Sequence, residues 1–195
     1  LWVSDEVITG FGRTGAWFSS TRYELKPDLM LTAKGLTSGY VPMGAVIASS
    51  ELAAPFFSEG AGMWRHGYTY SGHAVAAAAG LANLSIIENE RLIDRVARLE
   101  LVLEAYLAPL ADHPLVCDVR AGVGLLAAVQ IAPDVENPAR LNRVVLALRE
   151  QGVLTRGLVD GSMQISPPFV IGESDIEFFV KKCNSSLNLV RDAED

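Results

Sequence analysis

Three short runs are apolar along most of their length: Leu1–Ser4, Asp28–Thr32 and Gly44–Ser49. A strand with one wet face alternates polar and apolar residues, whereas a run that stays apolar on successive positions asks to be covered on both faces. That requirement points to an α/β fold. The loops between the runs carry the punctuation such a sheet needs: Gly10, Gly12 and Gly15 after the first, and Ser38-Gly39-Tyr40 before the third. The chain opens directly on Leu1-Trp2-Val3-Ser4-Asp5, with no Met and no turn signal, as though already inside a strand. The expectation is that further chain precedes it.

Helical periodicity takes over downstream. Trp17–Leu25 has room for one or two turns before Lys26-Pro27, and Arg65–Gly72 reads as a polar, aromatic loop. His73 to about Asn89 is a small-residue helix suited to close packing. Leu92, Val96, Leu99, Leu103, Tyr106 and Leu110 recur at steps of three and four, the stripe of a long amphipathic helix ending near Asp112-His113-Pro114. The pattern then changes, with strands over Leu115–Arg120 and Leu125–Ile131, an Asn137-Pro138 helix start, and strands Val153–Arg156 and Met163–Ser166 flanking an Asp160-Gly161 turn. Ser174 with Glu177 reads as a capping box, and Ile176, Phe179, Val180, Cys183, Leu187 and Val190 form the stripe of a last helix. A boundary near Pro114 divides residues 1–114 from 115–195.

Composition excludes several classes. Sixteen basic against 23 acidic residues give a net charge of −7, too acidic for a nucleic-acid groove or a basic membrane patch. The most apolar stretch, Val75–Ile87, is interrupted by Asn83 and Ser85 and is too short to span a bilayer. Cys117 and Cys183 are too few for a disulfide scaffold, so a reduced, cytoplasmic setting is expected. His66, His73 and His113 lack metal-ligand spacing.

Asp5 and Lys34 each stand just past a buried-type strand. Ligands collect at the carboxyl ends of strands in open α/β sheets. If the two strands are parallel neighbours, a carboxylate and an amine face one crevice. The carboxylate could hold a protonated ring nitrogen and the amine could form a Schiff base, as a pyridoxal phosphate site needs. Gly10-Phe11-Gly12-Arg13-Thr14-Gly15 matches the dinucleotide pattern G-x-G-x-x-G, but Asp5-Glu6 separates it from its strand and only a short helix fits behind it. Arg156, beside Gly157 at a strand end, could clamp a carboxylate.

The combined string is more specific than any of its parts. Asp5-Glu6-Val7-Ile8-Thr9-Gly10-Phe11-Gly12-Arg13-Thr14-Gly15, then Lys26-Pro27-Asp28, then Ala33-Lys34-Gly35 through Pro42-Met43-Gly44 resembles the class III pyridoxal-phosphate aminotransferases. His66–His73 is similar to the loop of their ω-amino-acid and amine:pyruvate branch, and the likeness continues through Val119–Leu125 and Ser166-Pro167-Pro168. Ala74 stands where the family usually has proline.

The resemblance implies a fold of type I: residues 1–114 as the later part of a mostly parallel-sheet, cofactor-binding large domain with its connecting helix, and 115–195 as a small α+β domain. It implies pyridoxal 5'-phosphate as cofactor. Asp5 would pair with the ring nitrogen, Val7 would pack on one ring face, and Lys34 would carry the Schiff base and shuttle the proton. Thr69 would reach the phosphate in a neighbouring subunit and Tyr68 would border that neighbour's substrate pocket, so the implied assembly is a homodimer with shared sites. Arg156 resembles the mobile arginine that binds a substrate carboxylate. The implied reaction moves an amino group from an amine or ω-amino acid to an oxo-acid such as pyruvate. Other readings are an aminomutase or racemase of the same family, a nucleotide-binding protein using the glycine loop, and a non-catalytic fragment.

Overall fold

The computed structural model describes residues 1–134 and 138–194, which fall into two compact units, Leu1–Asp94 and Arg95–Asp195. The Asn137 helix-start signal lies outside the described residues.

The first unit holds a three-stranded sheet in the order β1 (Val3–Asp5), β2 (Leu29–Thr32), β3 (Ala45–Ala48). β1 and β2 are parallel, with Val3, Ser4 and Asp5 opposite Leu29, Met30 and Leu31; β3 runs antiparallel to β2. Between β1 and β2 lies the single-turn helix α1 (Ser19–Arg22), within the stretch the sequence allowed for it. All four residues of β3 are exposed, Val46 and Ile47 on its two faces among them, although the apolar run led to the expectation of cover on both faces.

Two helices follow. The sequence pattern gave no sign of α2 (Ser50–Phe57), whose Pro55 argues against a helix interior; Ser49 caps it by accepting from Leu52 N–H at 3.2 Å. α3 (Ala74–Asn89) is the expected small-residue helix. Ala74 is its first residue, and His73 Nδ1 accepts from Ala76 N–H at 3.4 Å, so the helix start is retained without the family's proline.

The second unit takes most of α4 (Leu92–Leu107) and a 3-10 turn (Ala108–Asp112). Its sheet is antiparallel throughout, in the order β4 (Val116–Val123), β5 (Leu126–Ile131), β7 (Ser162–Ile165), β6 (Arg156–Gly157). Helices α5 (Arg140–Glu150) and α6 (Glu173–Asp192) complete it. One apolar core joins Val96, Leu103 and Leu107 of α4 to Val129, Met163, Ile176 and Leu187. Val129 and Met163 pair across β5 and β7, and both are fully buried. The compact units divide within α4, whose stripe from Val96 onward enters this core.

The hairpin forms around Asp160-Gly161, with Arg156 opposite Gln164. The final helix starts differently from the Ser174/Glu177 expectation. Gly172 is its N-cap, and Asp175 accepts from Gly172 N–H at 3.0 Å, so the carboxylate three residues along satisfies the orphan donor. Cys117 and Cys183 are both free, and burial pushes the Cys183 thiol up to about 12. No helix among the described residues is long and apolar enough to cross a membrane.

Candidate functional site

Asp5 and Glu6 are adjacent acids with opposite fates. Glu6 turns inward and is 1% exposed. It accepts from Ser20 N–H at 2.7 Å, from Ser19 N–H at 3.0 Å and from the Thr9 hydroxyl. Burial alone would raise its carboxyl, but the bonds from Thr9, Ser20 and Ser19 outweigh that and hold it below the usual range. Asp5, on the other side of the chain, is exposed, and its Oδ1 accepts from Val7 N–H at 3.0 Å. Only Asp5 is therefore open to a ligand, while Glu6 organises the loop behind it.

That loop does not act as a dinucleotide fingerprint. Gly10 N–H donates to Glu6 O at 2.9 Å, and a Cβ on Gly10 would meet the same oxygen at 2.8 Å. Phe11 follows with φ +57, is buried, and stacks edge-on against Phe18 at 5.3 Å. After Gly15 the only helix before β2 is the four-residue α1, too short to offer a phosphate the aligned N–H groups of a helix start. The glycines instead let the loop pack beneath the Lys34 turn. A Cβ on Gly35 would lie 3.1 Å from Phe11 Cβ and 3.3 Å from Gly10 O.

Lys34 begins a 3-10 turn, Lys34–Leu36, two residues beyond β2. Since β1 and β2 are parallel neighbours, Asp5 and Lys34 stand at the carboxyl ends of adjacent strands, and both are exposed. This meets the condition set by the sequence. The turn is clasped from α3, where Asn83 Nδ2 donates to Gly35 O at 2.8 Å and to Leu36 O at 3.2 Å. Ser38 Oγ donates to Asn83 Oδ1 at 2.6 Å. Sequence reading singled out neither Glu6 nor Asn83 as a site residue. The signal for Asn83 was present, because a polar residue interrupting an apolar helix needs a partner.

Val7 is half-buried beside Asp5. Tyr68 and Thr69 lie in the exposed loop before α3, closed by Ser71 N–H donating to Tyr68 O at 2.9 Å. Arg156 belongs to the second unit, on β6, where it is exposed and its Nε donates to Gln164 Oε1 at 2.6 Å. It lines an open cleft of about 460 Å³ with Leu154, Gln164, Ser166, Pro167 and Phe179. Among the described residues no group of three His, Cys, Asp or Glu could hold a metal ion.

Residues 1–187 match the family described as Aminotransferase class-III. The chain is 44% identical over 193 residues to a putrescine–pyruvate aminotransferase of Pseudomonas aeruginosa, covering 94% of this chain and 41% of that protein. It is 40% identical over 197 residues to an omega-amino acid–pyruvate aminotransferase of Pseudomonas putida, covering 98% of this chain and 43% of that protein. A solved transaminase from the marine bacterium Virgibacillus superposes with a TM-score of 0.93 at 35% identity, over 99% of this chain and 46% of that one. The chain thus spans less than half the length of these relatives. The match over nearly every residue, on a fold that brings Asp5 and Lys34 to neighbouring strand ends, places the chain in the class III aminotransferase family.

Proposed function

We propose that the whole protein moves an amino group from an amine or ω-amino acid to an oxo-acid such as pyruvate, with pyridoxal 5'-phosphate as cofactor. The observation that carries this is the pairing of β1 with β2, which sets an exposed carboxylate and an exposed amine at adjacent strand ends. This donor set fits the cofactor: an acceptor for a ring N–H and a primary amine for an aldehyde. When bound, the cofactor supplies the electron sink that makes a proton on the amine carbon removable.

The chain's own residues have distinct tasks. Asp5 accepts from the ring nitrogen and keeps it protonated. Lys34 would hold the cofactor aldehyde through its Nζ, and that amine, when free, would act as the base that carries a proton at the substrate's amine carbon. Val7 packs on the ring. Thr69 contributes to a phosphate site and Tyr68 to a substrate pocket in a second copy, which makes a homodimer part of the reading. Arg156 binds a substrate carboxylate. Residues 1–114 would then be the later part of the cofactor domain and 115–195 the small domain. The two free cysteines suit a cytoplasmic setting.

The test is Lys34→Ala in the whole protein, assayed with a panel of amines and pyruvate. Transfer should fall to background and the absorbance of bound cofactor should disappear. Retained turnover would sink the assignment. Product formation without any oxo-acid would instead point to an isomerase.

A further inference from the structure

Lys34 holds φ +35, and Ser38, in the same turn, holds φ +51. Residues with a Cβ adopt this left-handed region only when their surroundings over-determine it. Inside the turn, Leu36 N–H donates to Ala33 O at 2.9 Å and Thr37 N–H to Lys34 O at 3.2 Å. The carbonyls of Gly35 and Leu36 go to an outside partner, Asn83, whose side-chain amide takes both. The amide has one orientation here, because backbone carbonyls only accept, and the Ser38 hydroxyl then donates to its oxygen. One helical turn earlier, a Cβ on Gly80 would lie 3.7 Å from Leu36 O, so α3 approaches the turn closely enough for Asn83 to reach.

We infer that Asn83 is a positioning residue for Lys34: its three hydrogen bonds hold the 34–38 turn with Lys34 and Ser38 in their left-handed conformations, so that the amine is presented ready for the cofactor aldehyde. The inference rests on Lys34 being the lysine that binds the cofactor. Without the clasp, Lys34 relaxes towards negative φ and the amine must be brought back at each encounter. Pre-ordered geometry of this kind shows as a rate.

The experiment mixes the whole apoprotein with pyridoxal 5'-phosphate and follows the absorbance of protein-bound cofactor, with borohydride reduction and peptide mapping to locate the bond on Lys34. Asn83→Asp keeps the size and the acceptor for Ser38 but loses the donor. It should capture cofactor about tenfold more slowly than the wild type, the effect of a lost hydrogen bond on a rate. The apoprotein's melting temperature should fall by a few degrees at most. Asn83→Gln, which restores a donor, should recover part of the rate. Ser38→Ala removes only the third bond and should slow capture about threefold, which keeps the idea testable if Asn83→Asp does not fold. Wild-type capture rates in Asn83→Asp, or in Ser38→Ala should Asn83→Asp fail to fold, would overturn the inference. So would slowing matched by a general loss of thermal stability. A wild type that shows no fixable cofactor on Lys34 overturns the Lys34 assignment itself, a result distinct from normal capture in the variants.

Discussion

Arg156 and Gln164 face each other across the β6–β7 pair, and the arginine Nε donates to the Gln164 side-chain oxygen at 2.6 Å. The guanidinium is thus held by a neutral partner that a carboxylate can outcompete, since a charge-assisted bidentate pair is stronger than a bond to an amide. Arg156→Ala should raise KM for pyruvate about 10- to 100-fold and leave KM for an uncharged amine nearly unchanged. Steady-state kinetics on both substrates checks the split.

Glu6 is the buried anchor of the glycine loop, bonded to Ser19, Ser20 and Thr9. Glu6→Ala leaves two backbone N–H groups without their acceptor and should cost about 3 kcal/mol, read as a lower denaturation midpoint of the whole protein.

The same residue gives a pH dependence with a defined sign. Its carboxyl is held below the usual range in the folded state. Its contribution is therefore complete above the unfolded value of about 4.3 and is lost as pH falls through the lower folded value. The stability difference between the wild type and Glu6→Gln should shrink below about pH 4, as acid-unfolding curves of the two would show.

Gly10 cannot take a side chain without moving the backbone, because its Cβ would sit 2.8 Å from Glu6 O. Gly10→Ala should destabilise by about 1–3 kcal/mol and slow cofactor capture, since the displaced loop underlies the Lys34 turn. Thermal melting and absorbance at added pyridoxal 5'-phosphate report the two effects separately.

Leu107 is fully buried in the core of the second unit. Leu107→Ala should cost about 2–5 kcal/mol through the cavity it leaves, measured by chemical denaturation. The helical stripe read from sequence passed over this residue, taking Tyr106 and Leu110 on either side of it.

Periodicity and punctuation were enough for the α4 and α6 stripes, the Asp160-Gly161 hairpin and the α3 helix, because each depends on neighbours within a few residues. The same local reading missed α2, whose Pro55 speaks against it, and misplaced the cap of α6, where Gly172 and Asp175 do what Ser174 and Glu177 promised. It drew a boundary near Pro114 because the pattern of elements changes there; the α4 stripe packs into the core of the second compact unit.

For the site, the sequence by itself determined which groups are available: Asp5, Lys34, the glycine loop between them, and Arg156 on its own hairpin. It could not say that β1 and β2 are parallel neighbours, which of two adjacent acids faces solvent, or that an asparagine 48 residues beyond Gly35 clasps the Lys34 turn. Those facts were decided by tertiary structure. Strand pairing and helix approach join residues far apart in the chain, and a buried polar group takes its role from the partners that surround it, not from its neighbours in sequence.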